Sequence, residues 1–226
     1  NIQHNMVLDM VIKHLESWQP DTNQPTENSK LYILNLNITE NYLYIQNSNK
    51  QTLIMINFYT PGISNLREVA ALEVAANYLG QGHTSFLGEK LREETGLVYG
   101  INSYNFRYTD AGRFQIHTSS SEPVKTIKII FKSLSDFLDQ ISLTEIESTK
   151  ERMINIFNRI NTNPRKKMEF LGQGFILFNR LFEPGDYENL IKEVESEDVI
   201  SVAKKYLNRD NALLSTLGPE DIKGKI

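Results

Sequence analysis

The chain has no cysteine, so a disulfide framework and any thiolate metal site are excluded. Histidine is scarce as well, with four in 226 residues, and none has a second histidine four positions away. Leu8 follows His4 at that spacing, Met10 and Trp18 flank His14, Leu79 and Leu87 flank His83, and Arg113 and Ser121 flank His117. A helical two-histidine zinc site needs both imidazoles on one face, so the chain by itself is not expected to hold catalytic zinc. No apolar run approaches the ~20 residues of a membrane helix, and no signal peptide opens the sequence. Charge of one sign is not in excess: the net value is −4, and the dispersed basic residues leave no footprint for nucleic acid or an anionic membrane. Gly80-x-Gly82 lacks the rest of a dinucleotide loop, and no Gly-Lys-Ser/Thr occurs, so no phosphate cradle is expected. Ser85 and Ser119–Ser121 have no neighbouring histidine–carboxylate partner, which leaves a serine hydrolase without support.

What is present is enough chain for a sizeable core. Met6, Met10, Leu15 and Trp18 fall near helical spacing, so Asn5–Trp18 reads as an amphipathic helix. Gln19–Lys30, with Pro20 and Pro25 among polar residues, reads as an exposed connector. From Leu31 the pattern turns to strands: LYILNLNI, LYIQ and TLIMINFYT are β-branched and aromatic, and Asn47-Ser48-Asn49-Lys50 predicts a hairpin turn. Asn65-x-x-Glu68 predicts a helix start, with Gly80 and Gly82 as its stop. Ser85 predicts the cap of a further helix, Phe86–Thr95, closed at Gly96. VYGINSYNFRYT and RFQIHTSS form a second hairpin across Thr109–Gly112. Ile127, Ile130, Phe131, Leu134, Phe137, Leu138 and Ile141 mark the core face of a long helix. Thr144-x-x-Glu147 predicts the start of the next helix, to about Asn161. Arg165–Phe182, Tyr187–Val194 and Glu197–Leu207 continue the helices, and ALLSTLG predicts a last strand. This order favours an α+β fold with an antiparallel sheet flanked by long helices.

The most specific words lie in Leu79–Asn105, LGQGHTSFLGEKLREETGLVYGINSYN. A glycine loop, a helix ending in an arginine-containing turn, and Gly96-Leu97-Val98-Tyr99 follow one another there, with Arg92 and Tyr99 seven positions apart across a helix-to-strand corner. This stretch resembles the second, non-catalytic half of the pitrilysin/insulinase-type zinc metallopeptidases, the inverzincins. The resemblance runs in element order from about Leu31 to Pro219, and is specific in words at Gly80–Tyr104 and more loosely at Asp110–Phe114. It implies a metallopeptidase-half architecture like that of the mitochondrial processing peptidase. It also implies that Asn1–Trp18 is the tail of a preceding domain, residues 19–30 a linker, and residues 31–226 the peptidase-like domain. The zinc motif H-x-x-E-H of the catalytic half is absent from this sequence. The resemblance therefore implies no cofactor in this chain, zinc in a partner half carrying H-x-x-E-H on the same polypeptide or a separate one, and a peptide substrate.

By the same resemblance, Arg92 and Tyr99 would contact the substrate near the scissile bond. A guanidinium and a phenol are hydrogen-bond donors suited to the charge that develops on a carbonyl oxygen during peptide hydrolysis. Against this stands a structural alternative in which Arg92 pairs with Glu89 or Glu93 and Tyr99 packs under the sheet. His83 could also touch substrate, though a loop histidine is more often a capping or solvated group. His117 is expected to face solvent or to be hydrogen-bonded. Tyr99, Tyr104 and Tyr108 suit either a β surface or a peptide-contacting wall. Two other functions stay open: a degenerate scaffold or binding subunit of the same fold, and an enzyme unrelated to proteolysis. Localisation is open between periplasm and cytoplasm.

Overall fold

The computed structural model describes residues 3–19, 41–82 and 84–226, which divide into two units, Asn1–Thr39 and Glu40–Ile226. In the first unit the expected amphipathic segment forms helix α1, His4–Leu15. The strand expected from LYILNLNI and all of the connector beyond Gln19 lie outside the described residues. No described helix is long and apolar enough to cross a membrane.

The second unit is built on a mixed five-stranded sheet: β1 (Tyr42–Gln46), β2 (Thr52–Pro61), β3 (Ile101–Arg107), β4 (Ala111–Ser120) and β5 (Ala212–Gly218), in the order β1-β5-β2-β4-β3. The α+β class read from the sequence is the class observed. β2–β4, β3–β4 and β2–β5 are antiparallel, whereas β1 runs parallel to β5. The hairpin expected between β1 and β2 is not formed, because β5 lies between them. Residues 47–51 only need to cross two strand spacings, about 10 Å, well within the reach of five residues. Asn47 N–H donates to Gly218 O at the end of β5, 2.9 Å away, and Tyr42 and Tyr44 reach Thr216 Oγ1 and Gly218 O with their hydroxyls. These bonds satisfy β1 on β5 as well as a hairpin partner would. The β3–β4 hairpin forms as expected, with Ser103 opposite Ile116.

On β2 the side chains alternate: Ile54, Ile56 and Phe58 are buried, while Leu53, Met55 and Tyr59 are exposed. Helices cover the face bearing Ile54, Ile56 and Phe58. Helix α2 (Leu66–Gly80) lies against β3, β2 and β4, and on its other sides meets α5 (Leu143–Thr162), α7 (Pro184–Lys192) and α8 (Ser196–Tyr206). Contact on all sides explains its alanines, since Ala70, Ala71, Ala75 and Ala76 let neighbours approach closely. Asn65 caps α2 as expected, its Oδ1 accepting from Glu68 N–H at 3.3 Å. Gly80 ends it at a point where a Cβ would lie 2.4 Å from Ser103 N.

Helix α4 (Pro123–Gln140) buries Ile127, Ile130, Leu134 and Phe137 along the expected face. The capping box expected at Thr144 does not form. Helix α5 starts earlier, after Ser142, whose side chain makes no cap bond. Helix α6 (Pro164–Phe178) stops before the expected Phe182, because Asn179 adopts φ 49° and ends the helix there. Helix α7 starts at Pro184, with a capping box between Glu183 and Asp186.

Candidate functional site

The helix expected over Phe86–Thr95 is only briefly an α-helix. It opens as α3, Phe86–Gly88, and widens into a π-helical turn over Glu89–Glu93 that carries Arg92. Such turns insert an extra residue per turn and so re-aim the side chains on them. Ser85 does not cap the helix with its side chain. Its Oγ is buried without a hydrogen-bond partner, and its backbone carbonyl instead accepts from Glu89 N–H. Leu87 and Leu91 anchor the turn in the core.

The corner after the turn is tightly closed. Gly96 takes φ +63°, its N–H donating to Arg92 O at 3.1 Å while Leu97 N–H donates to Leu91 O at 3.0 Å. Only glycine occupies that left-handed region without a steric penalty. Leu97 and Val98 are then buried, and Tyr99 is 94% exposed. The carbonyls on either side of Tyr99 are held by hydroxyls of β4: Ser120 Oγ donates to Leu97 O at 2.9 Å, and Thr118 Oγ1 donates to Gly100 O at 2.7 Å. A phenol therefore projects into solvent from a backbone hydrogen-bonded to β4 on both sides of it.

Arg92 and Tyr99 thus sit at the two ends of one hydrogen-bonded corner. Arg92 pairs with Glu93, Nε to Oε1 at 2.8 Å, and keeps about a quarter of its side chain exposed. The pairing with a neighbouring acid is present, whereas the packing of Tyr99 under the sheet is not. His83 lies outside the described residues. His117 is half-buried and stacked on Tyr104 with ring centroids 5.5 Å apart; its Nδ1 has no partner, and burial pulls its pKa below the usual value. It is neither fully solvent-facing nor hydrogen-bonded through that nitrogen. No local signal marks the π turn, nor Thr118 and Ser120 as partners of the Gly100 and Leu97 carbonyls, since those hydrogen bonds arise only when β4 lies alongside. Among the described residues no group of three or more His, Asp or Glu could hold a metal ion.

The second unit is thus a sheet backed by helices on one face, with a half-buried Arg92 and an exposed Tyr99 at the two ends of one corner. The family described as "Peptidase M16 inactive domain" matches residues 1–153, and the chain belongs to that family. An uncharacterized zinc protease of Rickettsia bellii is 24% identical over 183 residues, 80% of this chain and 44% of that protein. The mitochondrial-processing peptidase subunit alpha-2 of Dictyostelium discoideum is 23% identical over 178 residues, 74% of this chain and 40% of that one. Among solved structures, a protease from Helicobacter pylori superposes with a TM-score of 0.79 at 16% identity, covering 97% of this chain and 53% of that chain. The M16 inactive domain from Pseudomonas fluorescens gives 0.67 at 21%, covering 80% and 43%. The chain spans less than half the length of these curated relatives.

Proposed function

We propose that this chain is the substrate-binding, non-catalytic half of a zinc-dependent endopeptidase, supplying Arg92 and Tyr99 to a peptide whose scissile bond is cut at a partner half carrying H-x-x-E-H. The observation that carries this reading is the Gly96 corner, where Tyr99 is 94% exposed although the carbonyls flanking it are fixed by Thr118 and Ser120. The backbone of the corner is held before substrate arrives, which limits the reorganisation needed when charge develops on the carbonyl oxygen; the exposed phenol itself is ordered on binding. Arg92 contributes a permanent positive charge with several N–H donors, and Tyr99 a single hydroxyl donor. Both can bind and orient a peptide carbonyl, and neither has to give up a proton. Zinc is expected on the partner half, as the name "zinc protease" carried by relatives suggests.

The test is reconstitution with an H-x-x-E-H half and a peptide assay. Arg92→Ala and Tyr99→Phe should each lower kcat/KM by ~10- to 1000-fold, with the melting temperature of the free chain nearly unchanged. Full activity in either variant removes that residue from the site. Full activity in both favours a scaffold or binding role for the same fold.

A further inference from the structure

Helix α4 and the end of α8 enclose a groove of about 480 Å³ on the helical side of the second unit. Its floor is apolar, with Phe131, Leu134, Leu138 and Leu207 among the lining side chains. Four cations line it as well: Lys128 and Lys132 from α4, Lys204 from α8, and Arg209 just beyond α8. No aspartate or glutamate among the described residues lines it. Lys128, Lys132 and Lys204 are exposed and form no ion pair among the described residues, and Arg209 lies over the Phe131 ring with 5.5 Å between Cζ and the ring centroid. A smaller cavity of about 220 Å³ adjoins it, sharing Ile127, Phe131, Arg209 and Ile226. The chain as a whole carries a net charge of −4, so this local surplus of positive charge runs against the overall sign.

We propose that this groove binds an acidic, apolar-anchored peptide segment of a partner protein. The placement of the cations selects that ligand. A single-headed amphiphile such as a fatty acid presents one carboxylate and would engage one or two of the four, leaving the rest facing solvent over an apolar trough. An acidic segment with carboxylates on both flanks meets both walls at once: Lys128 and Lys132 stand one helical turn apart on one wall, Lys204 and Arg209 on the other. From Lys128 to Leu138 the groove runs about 15 Å, the length of a helical segment of roughly ten residues. An amphipathic helix laid in an apolar groove is a recurrent recognition mode, with apolar anchors giving affinity and rim charges giving orientation and on-rate.

The experiment uses the full chain and a fluorescein-labelled synthetic peptide of about 11 residues, one groove length, with leucines on one helical face and glutamates elsewhere. Fluorescence anisotropy should show saturable 1:1 binding with Kd below about 100 µM, weakening as salt is raised. The same peptide with glutamine in place of every glutamate should bind at least ~fivefold more weakly, since each exposed ion pair changes affinity by about two- to fivefold. The double variant Lys128→Glu/Lys132→Glu should lose roughly tenfold or more by the same reasoning. Lys204→Glu, on the opposite wall, provides an independent arm should the double variant fail to fold. Equal affinity for the glutamine peptide, no binding at 100 µM, unchanged affinity in a folded variant, or binding of dodecanoate without binding of the acidic peptide would each overturn the proposal.

Discussion

Replacing Arg107 by methionine would remove the cation that faces Glu73 inside the second unit. Arg107 Nη1 lies 3.1 Å from Glu73 Oε2, and the two side chains are 25% and 22% exposed. Burial, the largest influence, pushes the Glu73 carboxyl above the usual carboxylate range, while Arg107 draws it back down. Leaving a buried charge without its partner costs ~3–5 kcal/mol, and the residual exposure places this pair at the lower end. The guanidinium also lies 5.2 Å from the centre of the Tyr187 ring, a contact worth about 1 kcal/mol. The expected loss is about 4 kcal/mol, or a fall in melting temperature of roughly 8–16 °C for a chain of this size. The pH dependence has a definite sign. A carboxyl whose folded pKa is raised contributes stability that is fully present below its unfolded pKa and is lost as pH rises through the folded value. Without Arg107 the folded value moves higher still, so the penalty of Arg107→Met should be smallest near pH 5 and largest near pH 8. Thermal unfolding followed by circular dichroism at both pH values, for Arg107→Met, Glu73→Gln and the double variant, measures it. The double variant should recover at least ~1 kcal/mol relative to additivity, because it removes the unpaired charge. A loss smaller at pH 8 than at pH 5, or strict additivity, would refute the reasoning.

Gly80→Ala should cost about 1–3 kcal/mol in a urea titration, as overpacking does, because its Cβ would meet Ser103 N at 2.4 Å and Ser103 Oγ at 2.5 Å; Gly100→Ala, whose Cβ has nothing within 4 Å, is the control and should be nearly neutral. Gly96→Ala should cost about 1–2 kcal/mol, since φ +63° is a left-handed conformation that penalises any Cβ, and an unchanged unfolding midpoint would show that the corner opens without loss.

The fold and the candidate site differ in how far local sequence reaches. β5 at ALLSTLG, the β3–β4 hairpin and the apolar face of α4 were legible because each rests on a period of two or 3.6 residues within one segment. Arg92 and Tyr99 were legible from the words around them, and the closure at Gly96 from glycine's freedom at positive φ. The sequence by itself determined β2, β5, the β3–β4 hairpin and the core face of α4, and which corner carries the arginine and the tyrosine. Tertiary structure decided the placement of β5 between β1 and β2, since Tyr42 pairs with Leu214 and a local turn signal is blind to a partner so distant in the chain. It likewise decided the burial of Glu73 against Arg107, the hydrogen bonds from Thr118 and Ser120 to the Gly100 and Leu97 carbonyls beside Tyr99, and the convergence of α4 and α8 cations on one groove. The physical reason is the same in each case: hydrogen-bond partners, desolvation and facing charges come from elements brought together only when the chain folds, while periodicity and turn chemistry act between neighbours.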